Sequence, residues 1–67
     1  MKMNTGNLGE VIFEITRIGT TTRVTAVHVA TGYEAIIQGP STYSPNILKK
    51  TALRKLSYIL EKQSKNT

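Results

Sequence analysis

From Glu10 to Ile18 apolar and polar positions alternate. Val11, Phe13 and Ile15 fall on one face, and Ile12, Glu14, Thr16 and Ile18 on the other, which is the period of a strand. The residues are largely β-branched, the type that packs well on a pleated surface. A second alternating run, Thr21 to Val29, sets Thr22, Val24, Ala26 and His28 beside Phe13 and turns Arg23, Thr25, Val27 and Val29 the other way. Between them Gly19-Thr20 predicts a two-residue hairpin loop of the II′ type, with glycine at its first position. Ala30-Thr31-Gly32 then predicts a three-residue loop that pairs Val29 with Tyr33 and carries Ile36 to the Phe13 face. Tyr33, Ala35 and Ile37 go to the opposite face, and a loop one residue different in length exchanges the two sets. Gly39-Pro40 closes the third strand, because proline has no N–H for a ladder.

Ser44-Pro45 opens a helix, with a hydroxyl able to cap the first amides and a proline preset for the first helical position. At about 100° per residue, Leu48, Ala52, Leu53, Leu56, Ile59 and Leu60 share an arc of roughly 140°, the stripe that closes a core. These elements predict an α+β domain: a three-stranded antiparallel β-meander packed against one C-terminal α-helix, βββα. The ordered domain spans residues 9–63. Residues 1–8 are read as a flexible N-terminal arm and 64–67 as a disordered tail, since neither carries a period or an apolar surface to bury. One helix covers one face of a sheet. The other face, with Ile12, Ile18, Val27, Val29 and Ala35, therefore reads as a contact surface for a second copy or a protein partner, as one covered by Met1, Met3 and Leu8, or as apolar surface left exposed.

Sixty-seven residues hold a single domain, and one this small has a marginal core that disulfides, metal or association often supplement. The chain has no cysteine, one histidine and no aspartate, so neither a disulfide, a metal site nor a cofactor is expected. The N-terminal residues lack the apolar core of a secretory signal. No stretch approaches the roughly 20 apolar residues of a membrane span, and the expected location is the cytoplasm. Titratable groups for catalysis are limited to His28 and glutamates 10, 14, 34 and 61. The predicted register makes His28 and Glu34 cross-strand neighbours, a pair that reads either as a general base or, more plainly, as a surface contact at the sheet's end. No nucleophile elbow, phosphate loop or dinucleotide fingerprint is present, and the chain is not expected to be an enzyme or to take a small-molecule substrate.

Charge adds a second candidate surface. Lysine and arginine number 9 against 4 glutamates, for a net charge of +5, which favours anionic partners. Lys49, Lys50, Arg54, Lys55, Tyr58 and Lys62 form a cationic helix face with one aromatic ring, suited to a phosphate backbone. The same residues also serve a helix that only needs a solvated outer side.

The run Gly-Glu-Val-Ile-Phe-Glu-Ile-Thr-Arg-Ile-Gly from Gly9, with Arg23-Val-Thr-Ala, Ala30-Thr-Gly, Gly39-Pro40 and Ala52-Leu-Arg-Lys-Leu-Ser-Tyr-Ile-Leu, resembles a family of short uncharacterised bacterial proteins. That resemblance implies a shared small fold and no activity. Three antiparallel strands followed by a helix with Lys49-Lys50-Thr51-Ala52 also resemble the C-terminal part of a double-stranded-RNA-binding domain, where a Lys-Lys-x-Ala helix start contacts phosphates. Here the two lysines stand a full turn after Ser44-Pro45. The sequence thus reads as a non-catalytic interaction or assembly module that self-associates through its open sheet face or an edge strand. The alternative is a module binding duplex RNA or DNA through the basic helix.

Overall fold

The computed structural model describes residues 2–4 and 8–65. The elements are β1 (Lys2–Asn4), β2 (Glu10–Ile18), β3 (Thr21–His28), β4 (Glu34–Pro40) and α1 (Pro45–Lys65). The three alternating runs form the antiparallel meander β2-β3-β4, followed by the single helix, as the sequence predicts. The sheet continues one strand further, in the order β1-β2-β3-β4. Residues 2–4, read from sequence as part of a flexible arm, pair with Glu10–Ile12 of β2. Residues 1 and 5–7 of that arm and 66–67 of the expected tail lie outside the described residues. The helix itself runs two residues past Gln63, to Lys65.

The β2–β3 hairpin has the register the alternation predicts, Phe13 opposite Ala26 and Ile12 opposite Val27. Its loop is Gly19-Thr20. Gly19 has φ +60° and among the described residues no non-glycine residue has positive φ, the signature of a II′ turn.

The β3–β4 register differs from the prediction by one residue. Ala26 lies opposite Ala35 and Val27 opposite Glu34, so the loop is four residues long, Val29 to Gly32. Inside it the Gly32 amide donates to the His28 carbonyl at 2.7 Å, and the Tyr33 amide donates to the Thr31 hydroxyl at 3.3 Å. Gly32 has φ +78°. A three-residue and a four-residue loop both end on a residue in the left-handed region, so glycine at 32 is compatible with either length. The consequence is a full exchange of faces on β4. Ala35, Ile37 and Gly39 meet the helix, while Glu34, Ile36 and Gln38 look away.

The core is Val11, Phe13, Val24, Ala26, Ala35, Leu48, Ala52 and Leu56, with Leu8, Ile37, Leu53, Ile59 and Leu60 packed around it. α1 lies across β3 and β4. Small side chains allow it to approach: Ala26 and Ala35 are direct neighbours beneath Ala52, all three fully buried. A Cβ built on Gly39 would stand 2.7 Å from Leu48 Cδ2. The helix begins as expected, with the Asn46 amide donating to the Ser44 hydroxyl at 3.1 Å, an N-cap bond that satisfies one of the free first-turn amides. At the same end Thr22 and Ser41 hydroxyls pair at 3.1 Å. Because α1 lies mainly over β3 and β4, Ile15 near the far end of β2 remains exposed although it shares the face of Phe13.

Candidate functional site: the open sheet face and the basic helix

The face of the sheet turned from α1 follows directly from the registers. Across the strands its rows are Ile12, Val27, Glu34; then Glu14, Thr25, Ile36; then Thr16, Arg23, Gln38; then Ile18, Thr21, Pro40. Ile12, Val27 and Ile36 form an oblique apolar band. Ile12 is 37% and Ile36 47% exposed, and Val27 on the central strand is half-buried. Carboxylates flank this band: Glu10 and Glu14 lie two residues either side of Ile12 on β2, and Glu34 lies two residues before Ile36 on β4. Three of the four glutamates of the chain thus share one face with a single arginine, Arg23. Beside Arg23 a shallow depression of about 230 Å³ is lined by Ile18, Thr21 and Gln38.

Of the residues the sequence assigns to this surface, Ile12, Ile18 and Val27 are on it. Val29 sits at its rim, in the loop, where its amide donates to the Glu10 carbonyl at 3.1 Å. Ala35 is not on it. The one-residue register difference buries Ala35 to 1% exposure against the helix, and Glu34 and Ile36 take its place. Leu8 packs against the helix-side core and so does not cover the open face. The side chains of Met1 and Met3, named for the same cover, lie outside the described residues.

The basic helix face is also smaller than the sequence suggests. Lys49 is only 9% exposed and holds its ammonium 5.7 Å from the centroid of the Phe13 ring, a cation–π contact in the wall of the core. Beneath it a groove of about 340 Å³ is lined by Phe13, Asn46, Lys50 and Leu53. Lys55 reaches sideways and donates to the Ile36 carbonyl at 3.2 Å. That carbonyl belongs to a residue whose backbone groups point out of the sheet, so Lys55 caps the β4 edge. Lys50, Arg54, Tyr58 and Lys62 remain exposed on the outward side, with the Lys62 ammonium 5.5 Å from the Tyr58 centroid. Tyr58 is 59% exposed.

His28 and Glu34 do not meet. Glu34 stands opposite Val27 on the open face, whereas His28 is buried on the helix side. Its Nε2–H donates to the Leu8 carbonyl at 2.6 Å, and its Nδ1 lies 2.7 Å from the Thr31 hydroxyl. Since a carbonyl only accepts, Nε2 carries the proton, and in the neutral ring Thr31 donates to Nδ1. The histidine ties the segment entering β2 to the β3–β4 loop. Among the described residues no cluster of three or more histidine, cysteine, aspartate or glutamate side chains is placed to hold a metal, and no helix is long and apolar enough to cross a membrane.

These features define a small α+β domain with an open, acidic and apolar sheet face and a cationic helix on the other side. The chain belongs to the family described as a domain of unknown function, DUF6898, which matches residues 8–63. No curated protein and no solved structure matches it.

Proposed function

We propose that the domain is a non-catalytic interaction module that docks a protein partner on the open face of its sheet, working in the cytoplasm without cofactor, metal or small-molecule substrate. The observation that carries this reading is the apolar band Ile12–Val27–Ile36, which no other described part of the chain covers and which carboxylates frame on both sides. A band of this kind supplies the buried centre of an interface and its charged margin supplies orientation. The non-catalytic part of the reading is supported by His28, whose two ring nitrogens are both engaged, and by the separation of His28 from every glutamate on the open face. Docking on the face is favoured over pairing at an edge strand, because Lys55 occupies the β4 edge and the other edge is the three-residue β1, too short to template a long pairing.

The basic helix carries the second reading, contact with a duplex phosphate backbone. It draws on Lys50, Arg54, Lys62 and Tyr58, and loses Lys49 and Lys55 to contacts within the domain. If it held, Arg54→Glu would abolish duplex binding and the affinity would fall steeply with salt.

The test of the first reading places a photo-crosslinking side chain at position 36, in the producing cells, with the exposed position 43, in the turn before α1 and outside both surfaces, as the control. A discrete adduct at 36 is the expected result. Its absence under conditions where the protein is folded and abundant would remove the open face as a docking surface.

A further inference from the structure

We infer that the partner seated on the open sheet face is the outward face of α1 from a second copy of this chain, in a head-to-tail contact. The inference rests on the reading of that face as a docking surface and supplies its occupant. The two surfaces carry matching patterns. Along β2 the open face presents Glu10, Ile12 and Glu14, an acid, an apolar side chain and an acid at every second residue, stepping about 6.6 Å each time. Along the outward side of α1 stand Arg54, Tyr58 and Lys62, a cation, an aromatic and a cation at every fourth residue, stepping about 6 Å. All three helix residues are exposed, as are Ile12 and Glu14. Laid along β2, the helix sets the Tyr58 ring against Ile12 and one of its cations against the exposed Glu14, with the other cation at the Glu10 end of the band. Glu34, level with Ile12 on the far side of the apolar band, adds a third carboxylate to the face that receives the helix.

Other ways of joining two copies lack this match. Sheet face on sheet face brings Glu10, Glu14 and Glu34 against the same three residues with Arg23 the one arginine among them, and helix on helix brings Lys50, Arg54 and Lys62 against the same three with Glu61 the one acid beside them. Like charges placed opposite one another cost several kcal/mol and select against such pairings. The mixed contact is heterologous: each copy keeps one sheet face and one helix face to offer, so association is open-ended unless its rotation closes a ring.

The experiment is light scattering on the full chain across a dilution series at low and high salt, with two variants. The sheet variant carries Glu14→Lys and Glu34→Lys, and the helix variant carries Arg54→Gln and Lys62→Gln. All four positions are exposed, and unchanged far-UV circular dichroism checks that each variant is folded. The unaltered chain should exceed its 7.4 kDa monomer mass at low salt, climb with concentration without stopping at a dimer, and return toward monomer at high salt. Each variant alone should stay monomeric, its self-association weakened more than about tenfold. An equimolar mixture should form a one-to-one complex of twice 7.4 kDa and grow no further, since the helix variant supplies the only intact sheet face and the sheet variant the only intact helix. An unaltered chain that is monomeric throughout, a variant that associates as well as the unaltered chain, or a mixture that stays monomeric would each overturn the inference. The crosslink at position 36 separates this failure from that of the docking reading. An adduct with a protein of another mass keeps the docking face and removes the second copy, and no adduct removes both.

Discussion

Gly39 and His28 show how single residues hold this domain in its register. Gly39 faces Leu48 at a distance where a methyl group has no room, 2.7 Å from Cδ2. Gly39→Ala should therefore cost about 1 kcal/mol and Gly39→Val up to about 3 kcal/mol through overpacking, read as a fall in the urea midpoint at unchanged slope. Leu48→Val, which withdraws the clashing carbon, should recover part of the loss in the double variant. Strict additivity of the two changes would mean that the side chains do not meet. His28 acts by hydrogen bonding. His28→Phe puts a somewhat larger apolar ring in its place and removes the bonds to the Leu8 carbonyl and the Thr31 hydroxyl, so unfolding free energy should fall by about 1–3 kcal/mol, with Thr31→Val costing about half as much. A loss below about 0.5 kcal/mol for His28→Phe would show that the bridge between the segment entering β2 and the β3–β4 loop contributes nothing.

At the scale of elements, what the sequence makes legible and what it hides divide along a physical line. Alternation and β-branching locate β2 and β3, Gly19 specifies their turn, and Ser44-Pro45 with the apolar stripe locates α1; each of these signals is local. The register of β4 depends on whether Val29 belongs to the strand or to the loop, and glycine at 32 serves both. The arbitrating information is tertiary: Ala35 beside Ala26 under Ala52, and Gly39 under Leu48, give the helix its close approach, whereas the alternative would press Ile36 and Gln38 into that space. The same exchange decided the open face, replacing Ala35 with Ile36 and Glu34. Lys49 and Lys55 belong to the helix pattern as cations, yet only packing shows one covering Phe13 and the other capping the β4 edge. The cap carries a prediction of its own. Lys55→Ala leaves the Ile36 carbonyl open to an added strand, so stability should change by less than about 0.5 kcal/mol while aggregation during prolonged incubation, followed by thioflavin fluorescence, should accelerate. Equal rates for the two chains would mean that β4 is protected by something other than this lysine.

For the molecule as a whole, the balance between core size and open surface connects stability to association. The largest fully buried side chains are Phe13, Leu56, Val11 and Val24, and three of the remaining core residues are alanines, so the domain buries little apolar volume for its length. Domains near 60 residues bury only about 60% of their unfolded surface and gain from any contact made by the folded state alone. If a second copy binds the open face, that contact stabilises the fold by mass action. Free protein at 100 times its dissociation constant adds about 2.7 kcal/mol, a rise in melting temperature on the order of 10 °C for a chain of this size. The acidic sheet face and the cationic helix make this contribution electrostatic, and exposed pairs are screened within roughly 10 Å at moderate salt. The melting temperature should therefore climb with protein concentration at low salt and lose that dependence at high salt, as calorimetry across a hundredfold dilution series would show. In the Glu14→Lys, Glu34→Lys chain it should be independent of concentration at both salts. A melting temperature independent of concentration in the unaltered chain at low salt would mean that the small core holds the fold unaided, and that a second copy does not occupy the open face.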